Sequence, residues 1–294
     1  MRHSQLKAFH HVALLGGFSR AAEALFLTQP AISEQVKKLE QEHDTLLFHR
    51  ERKRVRLTEE GAQLFLFTKQ YFEIEQKIED YMSSTSAAID GELRIIADSA
   101  HHITHFLGDF RTRYPNISVT LRTGNTEEIL EDLRAYNAEI GIVGSLTPGA
   151  DMTALNLGTT KITAFAACGS LLAARPALSL QDLADLPLIF REQGSKTRQK
   201  LEERAKQKGV TLTPAIVAEG REAVREVVAS GAGIGFVSQA EYGHDDRLTQ
   251  ITLVDADIEM SETLVHLAQR SDVKVIRAFM EFARKAQDEK SAGD

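Results

Sequence analysis

Three groups of residues have types and spacings that could do chemistry. The first is Arg50-Glu51-Arg52-Lys53-Arg54-Val55-Arg56, with four net positive charges in seven residues. Guanidinium and ammonium groups at this density bind phosphate. The second is a set of three loops, Asp98-Ser99-Ala100-His101, Thr123-Gly124-Asn125-Thr126 and Arg191-Glu192-Gln193-Gly194-Ser195-Lys196-Thr197-Arg198. Each follows a strand-like apolar run and opens a helical pattern. Their hydroxyls and free backbone N–H groups, aligned with a helix dipole, favour carboxylate or phosphate. The third is His101, His102 and His105, of which His101 and His105 share a helix face. No acidic or thiol partner stands at ligand spacing, so neither a metal nor any other cofactor is expected.

The signatures of catalysis are missing. There is no Gly-x-Ser-x-Gly elbow, no nucleotide-type Gly-rich loop and no His-Glu-x-x-His. Gly231-Ala232-Gly233 precedes a strand pattern instead of following one, which suits a helix end and tight turn. The chain is therefore expected not to be an enzyme.

The length of 294 residues predicts two or three domains. A hydrophobic share of 43% with no run long enough to span a membrane predicts a globular chain. The single cysteine, Cys168, excludes an intrachain disulfide. The start of the chain lacks a signal peptide's apolar segment, so a cytoplasmic protein is expected rather than a secreted solute receptor. The net charge of −7 argues against a nucleic-acid partner, but its distribution reverses that impression. Residues 1–60 carry 10 Lys/Arg against 8 Asp/Glu, whereas the remainder carries 25 against 34. A basic head on an acidic body suits one domain that meets phosphate and another that does not.

The elements that must position these residues follow from caps and periodicity. Leu6, Phe9, Val12 and Ala13 recur at helical spacing until Gly16-Gly17. Ser19 is expected to cap a helix over 20–26, and Thr28, followed by Pro30, to cap one over 29–42 with Ile32, Val36 and Leu39 buried. Two capped helices so close together make a helix-turn-helix, and the basic run lies at the distance of its wing. Lys38 is expected to pair with Glu42. One long helix is predicted over 58–86. Its positions Leu64, Phe67, Tyr71, Ile74, Ile78 and Tyr81 form a heptad seam, which implies the same helix of a second chain and hence a homodimer. Ser83 to Gly91 is predicted to be a hinge. From Glu92 on, strands and helices alternate, predicting two α/β halves on an open, mostly parallel sheet. In such folds ligands lie between the halves at the carboxyl ends of strands. That places Ser99, Ala100, His101, Asn125, Thr126, Ser195, Lys196, Thr197 and Arg198 at a candidate effector site, with Glu222 beside them to suit a ligand bearing an amine as well as an acid group.

At this point the chain resembles the LysR-type transcriptional regulators. The resemblance rests on Phe18-Ser19-Arg20-Ala21-Ala22-Glu23-Ala24-Leu25, Thr28-Gln29-Pro30-Ala31-Ile32-Ser33, Lys38-Leu39-Glu40, Leu47-Phe48-His49-Arg50 and Leu57-Thr58-Glu59-Glu60-Gly61. It implies an α/β protein with an N-terminal winged helix-turn-helix over 1–60, a dimerising linker helix and hinge over 61–90, and a two-subdomain effector domain over 91–294 built like a periplasmic binding protein. Subdomain I is then about 91–161 with 267–294, and subdomain II about 162–266, the chain crossing near 160–163 and 265–268. The partners implied are promoter DNA, a small anionic or zwitterionic effector, and further copies in a dimer or a tetramer. The resemblance brings Gln29, Pro30, Ser33, Glu34 and Lys37 to base edges, where glutamine pairs with adenine. Ser19, Arg20, Thr28, Arg50, Arg52, Lys53, Arg54 and Arg56 are better placed for phosphate. The head also looks like regulators associated with aminoethylphosphonate catabolism, which makes an aminophosphonate one candidate effector.

Alanine at both Arg52 and Arg54 is expected to weaken binding to all DNA sequences about equally and to flatten the dependence of affinity on salt. Titrations at several salt concentrations check this. Loss confined to one base sequence would contradict a phosphate role.

Overall fold

The computed structural model describes residues 1–51, 54–82, 89–145 and 149–293, which fall into two compact units, Met1–Ser86 and Ala87–Asp294. In the first unit α1 (His3–Leu15), α2 (Phe18–Ala24) and α3 (Gln29–Glu42) are followed by a hairpin of β1 (Phe48–Glu51) and β2 (Arg54–Leu57) and by the long helix α4 (Glu59–Met82). Phe9, Val12, Ala21, Ile32, Val36, Leu39, Leu47 and Phe48 close its core. Helix α3 begins as its sequence predicts, with Pro30 in the first turn and the Thr28 hydroxyl accepting from the Ala31 N–H at 3.4 Å. Helix α2 does not. Phe18 packs on Phe48 and is already helical, so Gly17 takes the cap position and Ser19 lies inside the helix.

Three residues of the recognised motifs turn out to be structural. Glu40 Oε1 accepts the backbone N–H groups of Leu47 at 2.9 Å and Phe48 at 3.3 Å, tying the hairpin to α3. The Thr58 hydroxyl donates to the Leu46 carbonyl at 2.7 Å and accepts from the Gly61 N–H at 2.9 Å. A Cβ on Gly61 would stand 2.1 Å from the Leu47 carbonyl oxygen, so only glycine lets α4 start there. Lys38 pairs with Glu34 at 2.7 Å and not with Glu42, because Glu42 is held by Gln5 and the terminal ammonium. Along α4, Leu64 packs on the core, while Phe67, Tyr71, Ile74, Ile78 and Tyr81 are 44–88% exposed. The expected continuation of this helix over 83–86, with most of the expected hinge, lies outside the described residues.

In the second unit β3 (Gly91–Ala97), α5 (His101–Arg113), β4 (Ile117–Thr123), α6 (Thr126–Arg134) and β5 (Ile140–Gly144) alternate as predicted. Strand β6 (Met152–Ala167) then leads to β7 (Ala177–Leu178), α7 (Leu180–Leu183), β8 (Leu188–Arg191) and α8 (Lys196–Gln207). Next come β9 (Pro214–Ala218), α9 (Gly220–Ala229), β10 (Gly235–Ser238), α10 (Gln239–Tyr242), β11 (Leu248–Leu253) and β12 (Glu259–Leu267). A 3-10 turn and α11 (Lys274–Gly293) complete the unit.

The main sheet runs β4-β3-β5-β12-β6-β11-β7, with β10 also paired to β6. Strands β4, β3 and β5 are parallel, but β12 and β6 pair antiparallel with their neighbours, so the sheet is mixed rather than mostly parallel. The physical reason lies in the connection between the halves, where one strand leaves and the other returns in the opposite direction. Residues 152–161 of β6 pair with β12, whereas residues 162–167 pair with β10 and β11. On β12 the register shifts between Glu262 and Thr263, N-terminal to the stretch expected to cross. One core gathers Leu93, Phe106, Phe110, Ile142 and Phe279, and a second gathers Ile162, Leu188, Phe190, Leu201 and Phe236. Helix α11 thus returns to the first half. No helix among the described residues is long and apolar enough to cross a membrane.

In the first unit His10 is buried with Nδ1 3.0 Å from the Thr68 hydroxyl, and burial, assisted by His11 and Lys69, lowers its pKa from 6.5 to about 4. The folded head therefore holds His10 neutral while the unfolded chain binds a proton. Its contribution is complete above pH about 6.5 and is lost as the pH falls toward 4. His10→Gln is expected to flatten the pH dependence of amide exchange in α1 across that interval. An unchanged slope would remove His10 as the source.

Candidate functional site

In the first unit the opening turn of α3 is exposed at Gln29 and Pro30, with Glu34 and Lys37 exposed further along and Ser33 half-buried. Thr28, Ser19, Arg20 and Arg56 are exposed as well. The Arg20 guanidinium reaches back to the Gly16 carbonyl at 2.9 Å, and Glu34 is engaged by Lys38. Arg50 and Arg54 are placed by the hairpin register, Arg50 opposite Val55 and Glu51 opposite Arg54. Arg52 and Lys53 lie outside the described residues.

In the second unit the three hydroxyl-bearing loops converge. Asp98, after β3, pairs with Arg191 at the end of β8, and both side chains are buried. Arg191 also pairs with Glu192 at 2.7 Å, and Glu192 Oε2 accepts the Gly220 N–H at the start of α9 at 2.9 Å. Burial opposes the charge on Arg191, but Asp98 and Glu192 outweigh it and raise its pKa. The Asn125 side chain caps α6 and donates to the Gln193 carbonyl at 3.5 Å. Gly194, at φ 88°, sits so close that a Cβ would lie 2.7 Å from Asn125 Oδ1.

These contacts frame a cavity of about 600 Å³ between the halves. Its wall carries five carboxylates, from Asp98, Glu128, Glu192, Glu219 and Glu222, against two guanidinium groups, from Arg191 and Arg221. It is thus more acidic than the loops alone suggest. Asn125 and Glu222 line it as expected. Ser195 and Thr126 lie at the starts of α8 and α6, each with a buried hydroxyl that has no hydrogen-bond partner among the described residues. Ser99 and Thr197 are buried, Ala100 is the N-cap of α5 and His101 is exposed. Of the expected effector residues, Ser99, Ala100, His101, Thr126, Ser195, Lys196, Thr197 and Arg198 do not line the cavity. Lys196 donates to Gln199 at 2.7 Å. Arg198 binds Glu202 and the Arg191 carbonyl and lies over the Phe190 ring, because an arginine one turn into the helix finds its acid at i, i+4.

Beside the cavity stands a second polar cluster that the sequence did not disclose. His102 Nε2 lies 3.1 Å from Glu241 Oε1 and 3.7 Å from Glu262 Oε1. Burial opposes the charge on Glu241, but His102, Arg221 and the Ser99 hydroxyl hold its pKa below the ordinary range. Burial, with Glu241 and Asp98 nearby, pushes Glu262 up to about 9. Arg191 and Arg221 thus face more carboxyls than they can neutralise. The signal for this in sequence was slight, an arginine ending the apolar run Leu188-Ile189-Phe190.

The chain matches two family models. The bacterial regulatory helix-turn-helix protein, lysR family, covers residues 3–62, and the LysR substrate binding domain covers residues 86–288. Among curated relatives, the RuBisCO operon transcriptional regulator of Allochromatium vinosum is 31% identical over 80% of this chain and 78% of its own length. Full-length OxyR of Pseudomonas aeruginosa superposes with a TM-score of 0.78 at 19% identity, over 97% of this chain and 95% of that one. The Synechocystis CcmR regulatory domain, solved in complex with 2-PG, superposes with a TM-score of 0.60 at 23% identity, over 67% of this chain and 98% of that one.

Arg191→Met strands buried carboxylates and is expected to cost about 3–5 kcal/mol in urea unfolding of the second unit. Adding Asp98→Asn is expected to return about 1 kcal/mol or more of that loss. Strictly additive losses would show that the two side chains do not depend on each other.

Proposed function

This chain belongs to the LysR family of DNA-binding transcriptional regulators, and we propose that its promoter binding is governed by a small zwitterion held in the cleft of its effector-binding domain. The single observation that carries this is the cavity wall, where two arginines stand among five carboxylates. A simple anion would meet net repulsion there, and Glu192 already occupies the start of α9. A ligand with an acid group for Arg191 and Arg221 and an ammonium group for Glu219 meets complementary charge at both ends, Glu222 being paired with Arg221 at 3.0 Å. Asn125, which lines the cavity, adds a polar partner. An aminoalkylphosphonate belongs to this class, and 2-PG, bound by the CcmR domain, serves as the purely anionic comparison. The relatives are regulators and not enzymes, so the ligand acts by binding, in the cytoplasm. It acts only as far as it prefers one arrangement of the halves.

The same reading assigns α3 to the major groove through Gln29 and the basic hairpin to phosphate. It assigns the exposed α4 seam to a homodimer, since five large apolar residues at heptad positions face solvent in a single chain. A tetramer would be a dimer of such dimers.

A thermal-shift panel tests the effector. With chelator present, 2-aminoethylphosphonate and related zwitterions are expected to raise the melting temperature by several degrees at saturating concentration, and to shift the affinity for promoter DNA in a gel-shift titration. A response to 2-PG alone, or to no zwitterion of the panel, would overturn this assignment.

A further inference from the structure

The geometry points to a divalent metal site of the Zn²⁺ or Mn²⁺ class formed by His102, Glu241 and Glu262. The three residues come from α5, α10 and β12, and each offers one ligand atom, all within 4.8 Å of one another. Zinc bonds to nitrogen and oxygen of about 2.0–2.2 Å place neighbouring tetrahedral ligands about 3.4 Å apart. The observed separations of 3.1 Å and 3.7 Å straddle that value. The side chains are only 9%, 9% and 5% exposed, so they are held where they are and are not surface groups that meet by chance. One imidazole with two carboxylates suits a first-row divalent ion better than Ca²⁺, which takes six or more oxygens.

A second observation points to a missing cation independently of the spacing. Glu262 Oε2 is buried and has no hydrogen-bond partner among the described residues. An oxygen left so in a protein interior is costly, and a metal ion would satisfy it. The surroundings carry the matching charge, since Asp98 and Glu192 accompany Glu241 and Glu262 while only Arg191 and Arg221 oppose them. Two charges added at this point balance the group. The fourth ligand position would fall to water or to a donor atom of a cleft ligand.

The placement gives the ion a consequence. Helix α5 belongs to the first half, α10 follows β10 in the second, and β12 is the strand that joins them. A bound ion would pin the halves together close to the Asp98–Arg191 pair. The site does not rest on the zwitterion reading, and its test contains no organic ligand.

Chelator-treated full-length protein is titrated calorimetrically with Zn²⁺ and, separately, with Mn²⁺. The expected result is one ion per chain at micromolar affinity or tighter for at least one metal, with binding weakened tenfold or more by Glu262→Gln and by His102→Gln. The ion is also expected to raise the melting temperature of the wild type and not of Glu262→Gln. Should either variant fail to fold by circular dichroism, Glu262→Asp keeps the charge, shortens the reach and is expected to weaken binding in the same way. Wild-type affinity in the folded variants would put the ion at another site, and no ion bound more tightly than millimolar by the wild type would exclude it. Either result overturns the proposal.

Discussion

A guanidinium buried between two half-domains has to be matched by carboxylates that the chain cannot supply locally. Arg191 ends a strand of the second half, and Asp98 reaches it from 93 residues earlier in the first. The approach of the two loops, the placement of Asn125 against Gly194 and the shape of the cavity all depend on that pairing. So does the electrostatic character of the cleft. Once enough carboxyls are assembled to hold two arginines, the buried Glu262 keeps one oxygen without a hydrogen-bond partner among the described residues, and its pKa is pushed up to about 9.

What was legible in the sequence was what local physics decides. Thr28 and Pro30 start α3 because a cap and a missing N–H act within one turn. The heptad of α4 was legible because spacing alone defines it, and its exposed side chains agree with a seam that expects a partner. The strand-end loops were legible as helix starts. Local choices failed where a distant contact outbid them. Phe18 packs on Phe48 and pulls α2 past Ser19, and Glu42 goes to Gln5 and leaves Lys38 to Glu34. The first half of β6 alternates half-buried and exposed residues with polar threonines and asparagine, so it reads as a loop until its pairing with β12 is known.

The cleft was legible in position but not in charge. Hydroxyls and cations in the 195–198 loop suggested an anion site, yet Arg198 satisfies itself along its own helix and Glu192 fills the neighbouring helix start. The deciding carboxylates lie far away in sequence, His102 meeting Glu241 across 139 residues. A search for acidic partners at ligand spacing around three histidines therefore finds none, because topology and not spacing assembles the group.

The surplus of negative charge also bears on why such a cleft can respond at all. Had each carboxylate met an arginine, the two halves would close on one another without help, and an arriving ligand would find little difference between open and closed arrangements to exploit. A ligand shifts an equilibrium only by its differential affinity for the two states. On the proposed reading, a buried Glu262 without a full set of partners would disfavour closure on its own and favour it once a positive group enters. The same imbalance would then give the cleft its sensitivity. A substitution that improved the charge balance inside the cleft would be expected to stabilise the domain and to blunt its response.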